Sequence, residues 1–359
     1  MKIFYICHSM NPQTGIGRLV NSIIDSAKII LPNLTVTVAT SEDLLSFQHK
    51  IKFVLNFRKI LAEARQADLI HVFDVYPYGF LAVMIGSLTH RPVVLTAVGT
   101  GSVQGLKKFP ISVLMKYALA RSAKITAISH FVKNEILAVW PELKIEVICP
   151  GINSVWPRPA TATPTPNPFF GKDYVLSVGS FKRRKGYDVS IKIFKALLKK
   201  HPHLYYVIVA NSDQNNKYYQ EIEKIIKDNN LTEKVLIIKD LTERQLASVY
   251  HGAKLFILLS RADNKDIEGF GLVFLEAASA RVPVIGCLNT GAEDAISDQV
   301  NGYLVDINDE EDIIKKASHI LSDNNLSENF SQGSLSWADK MSWKNKIKEY
   351  IEIYYQIFN

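Results

Sequence analysis

The sequence is poor in cysteine, in long apolar runs and in the clusters that hold metals. Three cysteines stand among 359 residues, an odd number, and Cys7, Cys149 and Cys287 each lie in an apolar or strand-like setting. Such a count argues against a disulfide scaffold, and buried, reduced thiols are the expectation. No apolar stretch approaches the ~18–20 residues of a membrane span. Phe80 to Gly86 is among the longest, and Ser87 and His90 break it at once. The opening run, Met1 to Cys7, is too short for a signal peptide and is expected to be a first strand. The chain also lacks an internal repeat, a metal-ligand cluster and a Ser/His/Asp arrangement, so no metal is expected.

What is present suits a soluble protein with proper cores: 47% hydrophobic and 21% charged residues, at a length that predicts two domains. The charge is uneven. Through residue 165 there are 17 Lys and Arg against 9 Asp and Glu, a net of +8; the whole chain carries +7, so the remainder is close to −1. A basic first half suits an anionic surface or acceptor, and a solvated basic face is the competing reading.

Apolar strand-like runs alternate with helical ones along the chain. In the first half they are Ile3–Ile6, Thr35–Ala39, Ala67–Phe73, Pro92–Ala97, Ala123–Ile128 and Ile145–Cys149. Tyr174–Val178, Tyr205–Ala210, Val235–Ile238, Leu255–Leu259, Val282–Gly286 and Asn301–Val305 follow. Helices are expected at Arg18–Ile30, Phe47–Arg65, Val189–Leu198, Lys217–Asn229, Thr242–His251 and Trp343–Phe358. This alternation predicts an α/β fold of doubly wound parallel sheets, with ligands at the strand C-ends. The five prolines between Trp156 and Phe169 mark a linker. The domains are therefore drawn as 1–165 and 166–341, with a C-terminal helix at 342–359.

Three loops carry candidate chemistry. After the first strand, Gly15-Ile-Gly17 opens a helix, a geometry that can approach phosphate; a tight turn is the alternative. A dinucleotide fingerprint would need a small residue where Val20 stands, which disfavours a nicotinamide dehydrogenase. Four consecutive cations in Gly179-Ser-Phe-Lys-Arg-Arg-Lys-Gly186 follow another strand and ask for a polyanion, unless they are only a solvated run. The third loop runs from Ser260 into Glu268-Gly-Phe-Gly-Leu-Val-Phe-Leu-Glu276. Gly269 and Gly271 keep Glu268 in the loop, whereas Glu276 falls more than a turn inside a helix beginning at Leu272. Their carboxylates should stand roughly 8–12 Å apart, too far to flank one glycosidic bond at the retaining-hydrolase spacing. That separation suits the two ends of a folded-back ligand whose anionic centre rests on the helix N-terminus. An ordinary helix glutamate plus a loop glutamate is the competing reading.

Glu268…Glu276, with Gly269, Phe270, Gly271 and Ala277, resembles the paired-glutamate signature of the retaining nucleotide-sugar glycosyltransferases of family 4. Ser129-His130-Phe131, Pro150-Gly-Ile-Asn153 and Asn301-Gly-Tyr-Leu304 resemble further landmarks of that family. The resemblance implies the GT-B fold, two Rossmann-like domains facing a cleft, with an acceptor-side first domain and a donor-binding second one. The terminal helix would cross back onto the first domain. It also implies a sugar transfer from a nucleoside diphosphate, with retention and without a metal, to a glycan or lipid-linked acceptor in polysaccharide or glycolipid synthesis. Glu276 would take the ribose, and Glu268 with Phe270, Gly271 and Leu272 the sugar and phosphates. Arg184 and Lys185 would hold the leaving diphosphate, and Gly15, Gly17 and Gly179 would line the donor. Neither carboxylate is given a packing role.

No cofactor is implied, the nucleotide sugar being a co-substrate, and no nucleic-acid partner. A cytoplasmic enzyme at the inner face of the membrane is the expected setting. The mixed basic and apolar segment Gly105–Lys124 suits peripheral contact with anionic lipid, and a core helix with snorkelling lysines is the competing reading. Three positions depart from the pattern. Ser180 stands where an arginine is common, Lys239 where a glycine is usual, and Val98 where relatives carry a histidine near the donor sugar. His8, His71 and His130 are the nearest alternatives, with a structural role as the competing reading for each. Rival readings are a sugar-nucleotide 2-epimerase of the same fold and a donor-binding subunit with little activity of its own.

Overall fold

The computed structural model describes all residues except 13, 45–49, 154–168, 170, 211–214, 264–265 and 359, and leaves out the side chains of 50–55. The chain divides into two compact units, Met1–Gly151 with Trp343–Asn359, and Ile152–Ser342. The linker boundary expected at 165 falls outside the described residues.

The first unit holds strands β1 (Lys2–Ile6), β2 (Thr35–Ala39), β3 (Leu69–Phe73), β4 (Val93–Ala97), β5 (Lys124–Ala127) and β6 (Glu146–Val147). They form one parallel sheet in the order β2-β1-β3-β4-β5-β6. β3 and β4 are buried at every residue, because helices cover both faces of a parallel sheet. The helix after β1 runs Gly15–Ile30, three residues earlier than Arg18, since the Thr14 hydroxyl accepts from the Gly17 amide at 3.1 Å and caps it.

The terminal helix Trp343–Gln356 belongs to this unit and turns Ile347, Tyr350, Ile351 and Tyr354 inward. The Tyr354 hydroxyl lies 2.7 Å from His71 Nδ1 and 3.2 Å from the Tyr5 hydroxyl, and His71 Nε2 lies 2.7 Å from Thr96 Oγ1. Burial drives the His71 pKa down to about 3, so the ring is a neutral link between helix and sheet. It is not a substitute for the histidine missing at Val98.

The second unit repeats the plan with β7 (Tyr174–Val178), β8 (Tyr205–Val209), β9 (Val235–Ile238), β10 (Leu255–Leu258), β11 (Val284–Cys287) and β12 (Gly302–Val305). The order is β12-β11-β10-β7-β8-β9, again parallel. Helices Glu310–Ser322 and Asn324–Lys340, which the sequence reading leaves unassigned, follow β12 and are capped by Asp309 and Asp323.

Each sheet turns back on its first strand. β1 lies between β2 and β3, and β7 between β8 and β10. At such a reversal the loops leave in opposite directions and open a crevice beyond the strand C-ends, where open α/β sheets bind ligands. The loops at these reversals follow β1 and β3 in one unit, and β7 and β10 in the other.

Candidate active site

The loop after β7 closes into one tight turn at Arg183–Lys185 and then enters the helix Tyr187–Leu197. Gly186 makes this possible: its φ is +64°, and a Cβ there would collide with the Leu259 carbonyl oxygen at the end of β10. The turn sorts the four cations. Lys182 and Arg183 point outward and pair with Asp266 and Glu221. Arg184 and Lys185 turn inward, and both reach Glu268. Lys185 Nζ stands 2.6 Å from Glu268 Oε2, the Arg184 guanidinium donates to the same oxygen and to Asp266 at 2.9 Å, and Ser260 Oγ donates at 3.2 Å. Lys185 and Glu268 are 5% and 7% exposed.

The energetics of this cluster are those of charges removed from water together. Burial alone would raise the Glu268 carboxyl, but Lys185 and Arg184 outweigh it and hold the group at about 2. Burial lowers the Lys185 amine, against the pull of Glu268. For Arg184 burial acts in the same downward direction, and Glu268 with Asp266 overcomes it. Arg184 and Lys185 are thus balanced by Glu268 and Asp266, and Lys182, also on Asp266, adds a third cation at the rim of the cluster.

Beyond Glu268 the chain is pinned by the loop after β11. The Gly291 amide donates to the Glu268 carbonyl at 2.9 Å, and a Cβ at Gly291 would collide with the Gly269 carbonyl oxygen. Phe270 is buried and Gly271 precedes the helix Leu272–Ser279, whose N-terminus receives no side-chain cap. Its first amides therefore face the loop as a partial positive charge. Glu276 lies in this helix, 1% exposed, and accepts from the Tyr250 hydroxyl at 2.8 Å. Gly179 carries the Lys185 stem, since a Cβ there would come 3.2 Å from Lys185 Cε, and its carbonyl accepts from Tyr187 at 2.7 Å. Asp266, Ser260 and Tyr250 are partners that sequence reasoning missed. The only signal for the first two was their place in the loop between β10 and Glu268.

In the first unit Gly15 and Gly17 separate in role. A Cβ at Gly17 would collide with the Asn11 carbonyl oxygen, whereas nothing lies within 4 Å of one at Gly15. More chemistry collects where β1 meets β3. Ile6 pairs with Val72, so the register carries His8 and Asp74 out of the sheet side by side. Asp74 has φ +89°, a conformation costly for a residue with a side chain. Its carboxylate accepts from the Ser102 hydroxyl and from the Val75 amide at 3.2 Å, and it occupies the space a Cβ would take at Gly101. Ser102 Oγ in turn accepts from the Val98 amide at 3.0 Å. Although the residue keeps some exposure, the carboxyl group is enclosed, and burial pushes it up to about 6 against its hydrogen bonds and nearby His8. His8 Nδ1 lies 2.7 Å from the Tyr78 hydroxyl. Thus the loop carrying Val98 lacks a histidine but holds Asp74, Ser102 and His8 around it. His130 is exposed at the start of its helix. Among the described residues no group of three His, Cys, Asp or Glu is placed to hold a metal ion.

These features can be set beside known proteins. Residues 164–337 match the family model described as glycosyl transferases group 1, and residues 25–155 match that of glycosyltransferase family 4. An uncharacterized glycosyltransferase of Methanocaldococcus jannaschii is 24% identical over 86% of this chain and 81% of its own. A GDP-mannose-dependent α-(1-6)-phosphatidylinositol monomannoside mannosyltransferase of Mycolicibacterium smegmatis is 24% identical over 62% of this chain and 59% of its own. Among solved structures, Anabaena HepE in complex with UDP and glucose superposes with a TM-score of 0.77 at 16% identity, covering 99% of this chain and 100% of that one. Together the two family models span both units, and the chain belongs to the family 4 glycosyltransferases, with the GT-B fold.

Proposed function

We propose that the protein moves a sugar, with retention, from a nucleoside-diphosphate sugar to a lipid-linked or glycan acceptor in glycolipid or polysaccharide synthesis. The observation that carries this is the Arg184–Lys185–Glu268 cluster at the reversal of the second sheet, beside an uncapped helix N-terminus. A diphosphate resting there meets two cations and a row of amides. As the glycosidic bond breaks, charge grows on the leaving diphosphate, and preorganised donors stabilise that charge more than they stabilise the intact donor. Glu276, farther along the same helix, takes the ribose.

Glu268 is poorly suited to attack the sugar, because two cations and a hydroxyl already hold its Oε2. Departure of the diphosphate and arrival of the acceptor on one face of the sugar gives retention without an enzyme nucleophile. Asp74, enclosed and close to His8, is assigned to the acceptor hydroxyl in the first unit. The mannosyltransferase relative, named for phosphatidylinositol monomannoside, supports a lipid-linked acceptor. The relatives named above are transferases, which favours transfer over epimerisation.

The test is a panel of nucleoside-diphosphate sugars screened for thermal stabilisation, followed by NMR of the product formed from the best donor. Stabilisation by a donor and its nucleoside diphosphate, with an anomeric configuration kept in the product, is expected. An inverted product, or a free epimerised sugar formed without acceptor, overturns the reading.

A further inference from the structure

Between Asp74 and Glu135 the sequence has no acidic residue, while seven lysines and arginines fall there, from Arg91 to Lys133. The structure folds this stretch so that two neighbouring helices expose apolar side chains. In Ile111–Arg121, Met115, Ala118 and Leu119 are buried, whereas Val113 and Tyr117 are 55% and 39% exposed. Phe109, just before this helix, is 86% exposed. Residues 109, 113 and 117 recur at four-residue spacing, along roughly 12 Å if the whole segment were helical. The helix Phe80–Thr89 packs alongside, Phe80 meeting Tyr117 edge-on at 6.0 Å, and leaves Met84 and Leu88 41% and 52% exposed. Lys107, Lys108, Lys116 and Arg121 are exposed around this apolar stripe.

Beyond the Phe80–Tyr117 contact, these five side chains leave a large share of apolar surface in water. The cations beside them, with no acidic residue in the same stretch, say what would cover them. A protein partner of mixed charge finds no negative counterpart for its own cations in this stretch. A bilayer with anionic headgroups matches both features at once: the rings and aliphatic chains enter the acyl boundary, and the ammonium and guanidinium groups stay at the phosphate level. We infer that the face formed by Phe80–Thr89 and Lys107–Arg121 docks the protein on an anionic lipid bilayer, with Phe109 and Val113 inserted. The inference is independent of the transfer reaction and would stand if the donor assignment failed.

The experiment uses the full chain and two kinds of vesicle, phosphatidylcholine alone and an equal mixture with phosphatidylglycerol. Co-sedimentation with the mixed vesicles at low salt is expected, fading as salt screens the surface. Removal of each cation lowers partitioning about fivefold, so Lys107→Gln, Lys108→Gln, Lys116→Gln and Arg121→Gln combined abolish measurable binding. Phe109→Ser with Val113→Ser, which leaves the charges in place, lowers it more than tenfold. All six positions are surface sites, so melting of the free variants should match wild type, and Phe109→Trp should show a blue-shifted emission on the mixed vesicles only. Equal binding to neutral vesicles, no binding at low salt, or an unshifted Phe109→Trp emission overturns the inference. So does a wild-type dimer that Phe109→Ser dissociates, for the face would then be an interface between copies of the chain.

Discussion

Replacing Glu268 by glutamine removes one charge and keeps the shape of the side chain. Its consequence can be worked from the cluster. A carboxyl held at about 2 against an ordinary 4.5 contributes about 3 kcal/mol to folding at neutral pH. The sign follows from the direction: because the folded value is depressed, the contribution is full above about pH 4.5 and is lost as the pH falls towards 2. In Glu268→Gln, Lys185 stays buried without its counter-charge, and Arg184 keeps only Asp266. Breaking a buried pair by removing one partner costs about 3–5 kcal/mol. For a unit of this size that lowers melting by roughly 6–20 °C. A nucleoside diphosphate brings back negative charge, so it should raise the melting temperature of the variant more than that of wild type. The assay is melting at pH 7.5 and along an acid series, with and without the ligand. A variant that melts within a degree or two of wild type, or acid curves that superimpose, would refute the reasoning.

Arg184→Ala with Lys185→Ala should weaken nucleoside diphosphate binding by roughly 2–5 kcal/mol, read by calorimetry; unchanged affinity would return the cations to a purely structural role. Asp74→Asn bears on the first unit: the raised pKa means that ionisation opposes folding, an effect absent below about pH 3.8, growing up to about pH 6 and level above it. The variant should therefore melt no lower than wild type at pH 7.5, lose that advantage in acid, and have little activity. A lower melting temperature at every pH would count against it. Tyr354→Phe strips His71 and Tyr5 of a buried partner and should destabilise by about 1–3 kcal/mol without altering diphosphate affinity; a calorimetric change in that affinity would contradict the assignment.

The twelve strands were legible because each is a short apolar run bounded by turn residues, and alternation with helices set the parallel sheets. The loops that matter were legible for the same reason, since chemistry at strand C-ends is easily found once the strands are known. Partnerships were not. Arg184 and Glu268 are 84 positions apart, and nothing in either loop says that the cations would be satisfied by the carboxylate before any ligand arrives. The sequence also gave neither glutamate a packing role, whereas both lie buried in hydrogen bonds. Asp74 was silent because one aspartate in a loop has no pattern; only the pairing of β1 with β3 brings it beside His8. The helix Asn324–Lys340 was missed for want of a strong apolar period, its inward face relying on Phe330, Ser334 and Ala338.

The first unit is closed by the last part of the chain. On a ribosome, residues 1–151 emerge long before Tyr354, so their sheet must wait through the synthesis of the whole second unit for the helix that covers His71 and Tyr5. Until then an imidazole and a phenol that end up sealed in the core stand open to water. The second unit, continuous from Ile152 to Ser342, has no such delay and can complete its fold first. A chain stopped before Trp343 should thus carry a finished second unit and an unfinished first one, the reverse of the order in which they were made.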